Sequence, residues 1–197
     1  MNIIVKTVSG RCYCRPDTSW EREDKDLFSP DHVNSFLYSP VLFARICKAG
    51  KCVGRKFAGR YYDSVGYGML LYAGDMFDGS PLSYASSSCL DHTSVLPFPM
   101  YNRITLEEKS NAFVLQKDGK EIFSFSDGNT DMIEDAISEA TMSVSVRIGD
   151  MIAIELAGPA LLSCRENPEQ GGKNRECKNE IRGSFCGNGL FCFNIIF

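Results

Sequence analysis

Long apolar runs, an export leader, paired metal-binding cysteines and any cluster of positive charge are missing from this 197-residue sequence. No stretch approaches the roughly 18 consecutive apolar residues that a membrane span requires. The N-terminal MNIIVKTVSG has neither an apolar h-region nor a cleavage site. These absences predict a cytoplasmic protein with no membrane partner. Lys and Arg number 21 against 25 Asp and Glu, a net charge of −4. Without a basic patch, no nucleic-acid partner is expected. C-x-x-C does not occur, and only His32 and His92 could add imidazole ligands, so a zinc set has little to draw on. The serine run Ser86-Ser87-Ser88 lacks the Gly-x-Ser-x-Gly context of a nucleophile elbow. Repeats, low-complexity tracts and linkers are also absent, which predicts one domain over 1–197.

Nine cysteines are present, at 12, 14, 47, 52, 89, 164, 177, 186 and 192. An odd number at irregular spacing without an export signal predicts buried, reduced thiols rather than a disulfide framework. Cys12-Tyr13-Cys14 alternates, which on a strand turns both thiols to one face, but no second pair completes a zinc site.

The patterning is strand-dominated. Asn2–Thr7 reads as a first strand closed by Ser9-Gly10, and Val41–Cys47 as a short strand buried on both faces. Phe57 and Tyr61, four apart, predict a helix over Lys56–Tyr62 that Gly66 and Gly68 break before a strand at Met69–Ala73. Ser80–Ser94 reads as a loop with a helical turn. Lys117-Asp118-Gly119-Lys120 is a hairpin turn between Phe113–Gln116 and Glu121–Phe125. Thr130–Val144 is the best helix, capped by Thr130, and Met151–Leu156 a further strand. Residues 165–180 read as a surface excursion. A second hairpin turns at Gly187-Asn188-Gly189. The fold class predicted is mixed β/α.

KFAGRYYDSVGYGMLLYAGDMFDGS, residues 56–80, delivers a carboxylate, Asp75, at the end of an apolar run. Together with FSPDHVNSFLYSPVLFARICKAGK, the Asn129-Thr-Asp-Met-Ile helix, VRIGDMIAIELAGPA and the closing IRGSFCGNGLFCFNI hairpin, it resembles the fumarylacetoacetate hydrolase family, in that family's order. RPDTSW is similar to an early Lys-Pro-Asp-Ser segment of that family, and the resemblance touches most of the chain. It implies a mixed β-sandwich roll with one or two main helices. It also implies a homodimer, and Mg²⁺ or Mn²⁺ in a mouth where acylpyruvates and related oxo acids are hydrolysed or decarboxylated by carbon–carbon cleavage. A hard cation of that kind needs oxygen ligands and acts as a Lewis acid on the substrate's keto and carboxylate oxygens.

Carried over position by position, the resemblance implies that most of this machinery is replaced. The Glu-x-Glu pair falls on Ser39 and Val41, and an acidic residue early in the next strand on Leu70. The family's Thr-Ala-Arg-Asp reads Tyr72-Ala73-Gly74-Asp75, which leaves Asp75 as the one metal ligand and puts Gly74 where an arginine stood. A lysine expected among Ser86, Ser87 and Ser88 is missing, and no lysine lies between Lys56 and Lys109. The N-terminal lid with its histidine is shortened away. The expectation is a catalytically degenerate relative that acts as a binding or partner subunit, without a cofactor. It would pair with itself or with an active relative, and the sequence identifies no small-molecule ligand. The alternative is a metal-dependent hydrolase or decarboxylase of acylpyruvate-type oxo acids with ligands re-recruited from Asp75, Asp78, Asp91 and His92. Against those roles, Asp78-Gly79 reads as a turn and Asp91-His92 as a polar loop tip. A third option pairs Cys89 with His92 as an activated thiol.

Overall fold

The computed structural model describes residues 1–107, 111–165 and 178–197. The predicted surface excursion lies mostly outside them.

Two long strands organise the chain: β5 (Ser35–Ile46) and β6 (Tyr62–Ala73) pair antiparallel along almost their whole length. Both are apolar on both faces, the pattern of strands covered on both sides. Around them a nine-stranded sheet assembles from β1 (Ile3–Lys6), β2 (Cys12–Arg15), β3 (Trp20–Glu21), β7 (Ser94–Val95), β8 (Tyr101–Asn102), β11 (Met151–Glu155) and β12 (Ala160–Cys164). Its main path runs β2-β1-β11-β5-β6-β7-β3, so β2 is an edge. A five-stranded sheet has the order β10-β9-β13-β14-β4, with β4 at Leu27–Phe28, β9 at Phe113–Lys117, β10 at Lys120–Phe125, β13 at Lys178–Phe185 and β14 at Asn188–Ile196. The main core lies between the two sheets and includes Ile4, Phe36, Leu42, Tyr67, Leu71, Phe113, Ile181 and Phe193. Helix α3 (Thr130–Ser143) joins it through Ile133, Ala136, Ile137 and Ala140. The outer face of the large sheet carries a second apolar cluster: Ile3, Val5, Val41, Phe43, Leu70, Tyr72, Leu96, Met151 and Ala153.

Several elements differ from the sequence reading. The strand expected at 41–47 is twelve residues long and starts at Ser35, because Ser39 and Pro40 are buried in the ladder rather than ending it. The helix expected over 56–62 is one turn, α1 (Arg55–Ala58), and Tyr62 already opens β6. Gly66 and Gly68 do not break a helix; they lie inside β6 and allow close approach. A methyl group at Gly66 would lie 2.6 Å from the Phe43 ring, and one at Gly68 would strike the Val95 carbonyl. Helix α3 is capped by Asn129, whose side chain accepts from Met132 N–H at 3.1 Å, not by Thr130. Asp118 and Gly119 make the expected hairpin turn at φ 48° and 74°. The second hairpin turns instead at Cys186 and Gly187, φ 49° and 79°. Helix α2 (Pro81–Ser87) is capped by the Ser80 hydroxyl, which accepts from Ser83 N–H at 3.2 Å. No helix among the described residues is long and apolar enough to cross a membrane.

Candidate functional site

Side chains alternate across a strand, so positions 37, 39, 41 and 43 of β5 face outward, away from the main core. On β6 the outward positions are Leu70 and Tyr72, and the register sets Ser39 opposite Leu70 and Val41 opposite Gly68. Glu155 ends β11 beside Val41, and Tyr13 and Arg15 of β2 lie on the same side. Ser39, Val41, Leu70 and Tyr72 are all inaccessible to solvent. Phe77 and Tyr84 close over Tyr72 with ring centroids 5.6 and 5.7 Å away.

Inside this lining runs a short polar chain. Tyr72 O–H donates to Glu155 Oε1 at 2.6 Å, a length typical of a hydroxyl held by a carboxylate. The Tyr13 hydroxyl sits 2.8 Å from that of Tyr72, and Val8 N–H donates to Glu155 Oε2 at 3.2 Å. Arg15 is buried beside it, with the guanidinium carbon 5.1 Å from the Tyr72 ring centroid. Its Nη2 donates to Leu71 O at 2.6 Å and to Thr93 Oγ1 at 3.0 Å, and its Nε to Ser88 O at 3.3 Å. Burial pushes the Glu155 carboxyl above its ordinary value; bonds from Tyr72 and Val8, nearby Ser39 and the Arg15 charge oppose that rise. Burial also pushes the Tyr13 hydroxyl up to about 12 and that of Tyr72 well above the usual range. These phenols stay protonated at neutral pH and serve as donors.

Of the residues singled out in the sequence, Ser39, Val41 and Leu70 share one buried face, but Asp75 does not join them. Asp75 sits in a 3₁₀ turn beyond β6 (Gly74–Met76), three residues further along than Tyr72, and is exposed. Its carboxylate accepts from Asn34 N–H (2.7 Å), Asn34 Nδ2 (3.2 Å) and Ser35 N–H (3.1 Å), fastening the start of β5. Partial burial raises its pKa, but those donors outweigh it and hold the carboxyl below its ordinary value. Ser39, by contrast, faces Leu70, five residues before Asp75, so the acid expected to share a site with Ser39 and Val41 lies elsewhere. Gly74 stands where the Ser35 side chain occupies the space a Cβ would need. Ser88 is buried, and its carbonyl receives the Arg15 guanidinium; the cation on this face comes from β2 rather than from a lysine near 86–88.

Asp78 accepts from Ser80 N–H at 2.7 Å at the entry to α2, and the Ser80 and Ser83 contacts lower its pKa to about 2. Asp91 is exposed. His92 Nδ1 pairs with Glu21 Oε2 at 2.7 Å, whereas Cys89 Sγ donates to Ala85 O at 3.0 Å, so imidazole and thiol are engaged separately. Among the described residues no three His, Cys, Asp or Glu side chains come together as a metal-ligand set. A hard divalent cation needs several oxygen ligands. Around Ser39, Val41 and Leu70 the described residues offer one carboxylate, Glu155, already held by a phenol and a backbone N–H; these residues do not fit Mg²⁺ or Mn²⁺.

Sequence reasoning missed Glu155, Tyr72, Tyr13 and Arg15. The alternation Tyr13/Arg15 and the charge closing the apolar run Met151–Ile154 were the available signals.

The chain superposes on a fumarylpyruvate hydrolase from Pseudomonas aeruginosa in complex with Mn²⁺ and pyruvate, with a TM-score of 0.76 and 14% identity. That match covers 100% of this chain and 90% of the other. A Yersinia pestis CO92 protein assigned to the fumarylacetoacetate hydrolase family also gives 0.76 at 14% identity, covering 99% and 92%. The chain has the fumarylacetoacetate hydrolase fold. Maleylpyruvate hydrolase from Sphingobium sp. SYK-6 matches at 0.73 with 13% identity, over 99% of this chain and 70% of the other. No protein-family model matches the sequence, and comparison with curated proteins gives no match. Shared backbone at this identity is a statement about the fumarylacetoacetate hydrolase fold alone.

Proposed function

We propose that this chain is a catalytically degenerate relative of the fumarylacetoacetate hydrolases that serves as a partner subunit rather than as a carbon–carbon hydrolase. The observation that carries the reading is the closed outer face around Ser39, Val41, Leu70 and Tyr72, whose side chains are all inaccessible to solvent and mostly apolar. The nearest cavity, lined by Thr7, Arg11, Tyr13, Pro81 and Tyr84 among others, measures about 120 Å³. Small-molecule sites usually run from about 300 to 1,000 Å³. That difference favours contact with another chain, in a cytoplasmic homodimer or a heteromer with an active relative, over a small ligand in the mouth.

With millimolar Mg²⁺ or Mn²⁺, the purified chain is expected to leave acylpyruvates and oxaloacetate at their buffer rates. Metal-dependent turnover that disappears in Asp75→Ala overturns the reading and restores the re-recruited enzyme. Native mass spectrometry tests the subunit role. A chain that remains monomeric both alone and with an active family member contradicts it.

The buried acid adds a pH prediction. Glu155 has a raised folded-state pKa, so its contribution is complete below its ordinary value and is lost as pH rises through the raised one. Glu155→Gln removes that titration. The melting-temperature deficit of the variant relative to the parent should therefore be larger at pH 4.5 than at pH 7.5, and an equal deficit at both would contradict the burial argument.

A further inference from the structure

The opposite side of the same sheet edge carries a chemistry that the mouth does not use. In the β1–β2 pairing Cys12 stands opposite Lys6 and Cys14 opposite Ile4. Directly opposed residues of an antiparallel pair share a face, so both thiols lie on the side of Lys6 and Ile4, away from Tyr13 and Arg15. Lys6 Nζ is 2.8 Å from Glu139 Oε2 on α3, which fixes α3 over that side. Met142 and Ser143 follow Glu139 at i+3 and i+4, on the same helix face. Strand and helix together enclose a cleft of about 350 Å³ lined by Ile4, Cys12, Cys14, Glu139 and Met142 among others. Both thiols are free and exposed, and the Met142 side chain is 68% exposed although it belongs to an otherwise well-packed helix.

The geometry points to a soft-metal site in which Cys12 and Cys14 supply two thiolates and Met142 a thioether to one monovalent copper ion. Thiolate and thioether sulfur select Cu(I), which accepts two or three such ligands. Zinc would need four, and Glu139, a further donor on the lining, is committed to Lys6. Loading replaces the thiol protons, which pass to solvent. The site faces α3, on the other side of β2 from Tyr13 and Arg15, and stands whether or not the chain is an enzyme.

The test is a Cu(I) titration of the reduced full chain, under ascorbate without air, against a chromophoric Cu(I) chelator. One equivalent should be withheld from the chelator by the parent and by Cys89→Ser. Cys12→Ser and Cys14→Ser should each weaken the withheld ion by about 100-fold, and Met142→Leu by about 10-fold, with unchanged melting temperatures. A parent that withholds no copper overturns the proposal. A Cys12→Ser/Cys14→Ser double variant that withholds as much as the parent also overturns it, because the copper then sits on other cysteines. Unchanged affinity in Met142→Leu removes the thioether and with it the three-donor site.

Discussion

Arg15→Ala should be among the most destabilising single substitutions in this protein. The side chain is 1% exposed, and its guanidinium bridges Leu71 O, Ser88 O and Thr93 Oγ1 while lying over Tyr72. Truncation removes the donor to the Leu71 and Ser88 carbonyls and the Thr93 hydroxyl, opens a large void and removes the cation that offsets buried Glu155. Breaking a buried charge arrangement from one side costs about 3–5 kcal/mol. In a chain of this size that corresponds to a fall in melting temperature of roughly 6–20 °C. Arg15→Met keeps much of the volume and should recover part of the loss, whereas Arg15→Ala combined with Glu155→Gln should cost less than the two singles added. Strict additivity would show that Arg15 and Glu155 do not sense one another. A deficit below about 1 kcal/mol for Arg15→Ala would place the guanidinium in solvent, contrary to the structure.

The second large effect is expected at Leu70. Leu70→Asp puts an acid back on the outward position of β6 that faces Ser39. The site is fully buried, with Val41 and Tyr72 in the same apolar cluster. The new carboxylate loses the Leu contacts and meets no partner, so destabilisation of about 4 kcal/mol or more at neutral pH is expected. If the surroundings still formed a metal pocket, Mn²⁺ would repair the variant: a ligand at 100 times its Kd adds about 2.7 kcal/mol. No such rescue is expected here, because Tyr72, Phe77 and Tyr84 fill the space on that side. Thermal melts of the variant with and without Mn²⁺ separate the two outcomes.

Much of the fold was legible because its signals are local. The Asp118-Gly119 hairpin and the apolar spacing of α3 each report directly on backbone geometry. The glycines at 66 and 68 misled for an instructive reason. Within an isolated segment they read as helix breakers, yet what they accommodate is the Phe43 ring and the Val95 carbonyl, brought in from other strands. The helix cap shifted by one residue because Asn129 and Thr130 are both competent, and only the backbone at 129 is extended.

At the site the same division holds. That Ser39, Val41 and Leu70 lie on one buried face was readable from alternation, once the strands were paired. That Asp75 does not join them was not, because its role is set by Asn34 and Ser35, forty residues earlier in the chain. Arg15 was harder still. Arginine is mostly exposed in proteins, and its burial here depends on carbonyls contributed by positions 71 and 88. A buried cation can be recognised only after the segments that enclose it are in place.

The closed mouth of this chain is expected to bind no divalent metal. A titration of the chain with Mn²⁺, followed by the electron paramagnetic resonance of the free hydrated ion, tests it without assuming a substrate. The free-ion signal should track total Mn²⁺, with no equivalent removed by the protein. Loss of one equivalent of signal per chain, restored by Asp75→Ala, would show a working metal site and contradict the account.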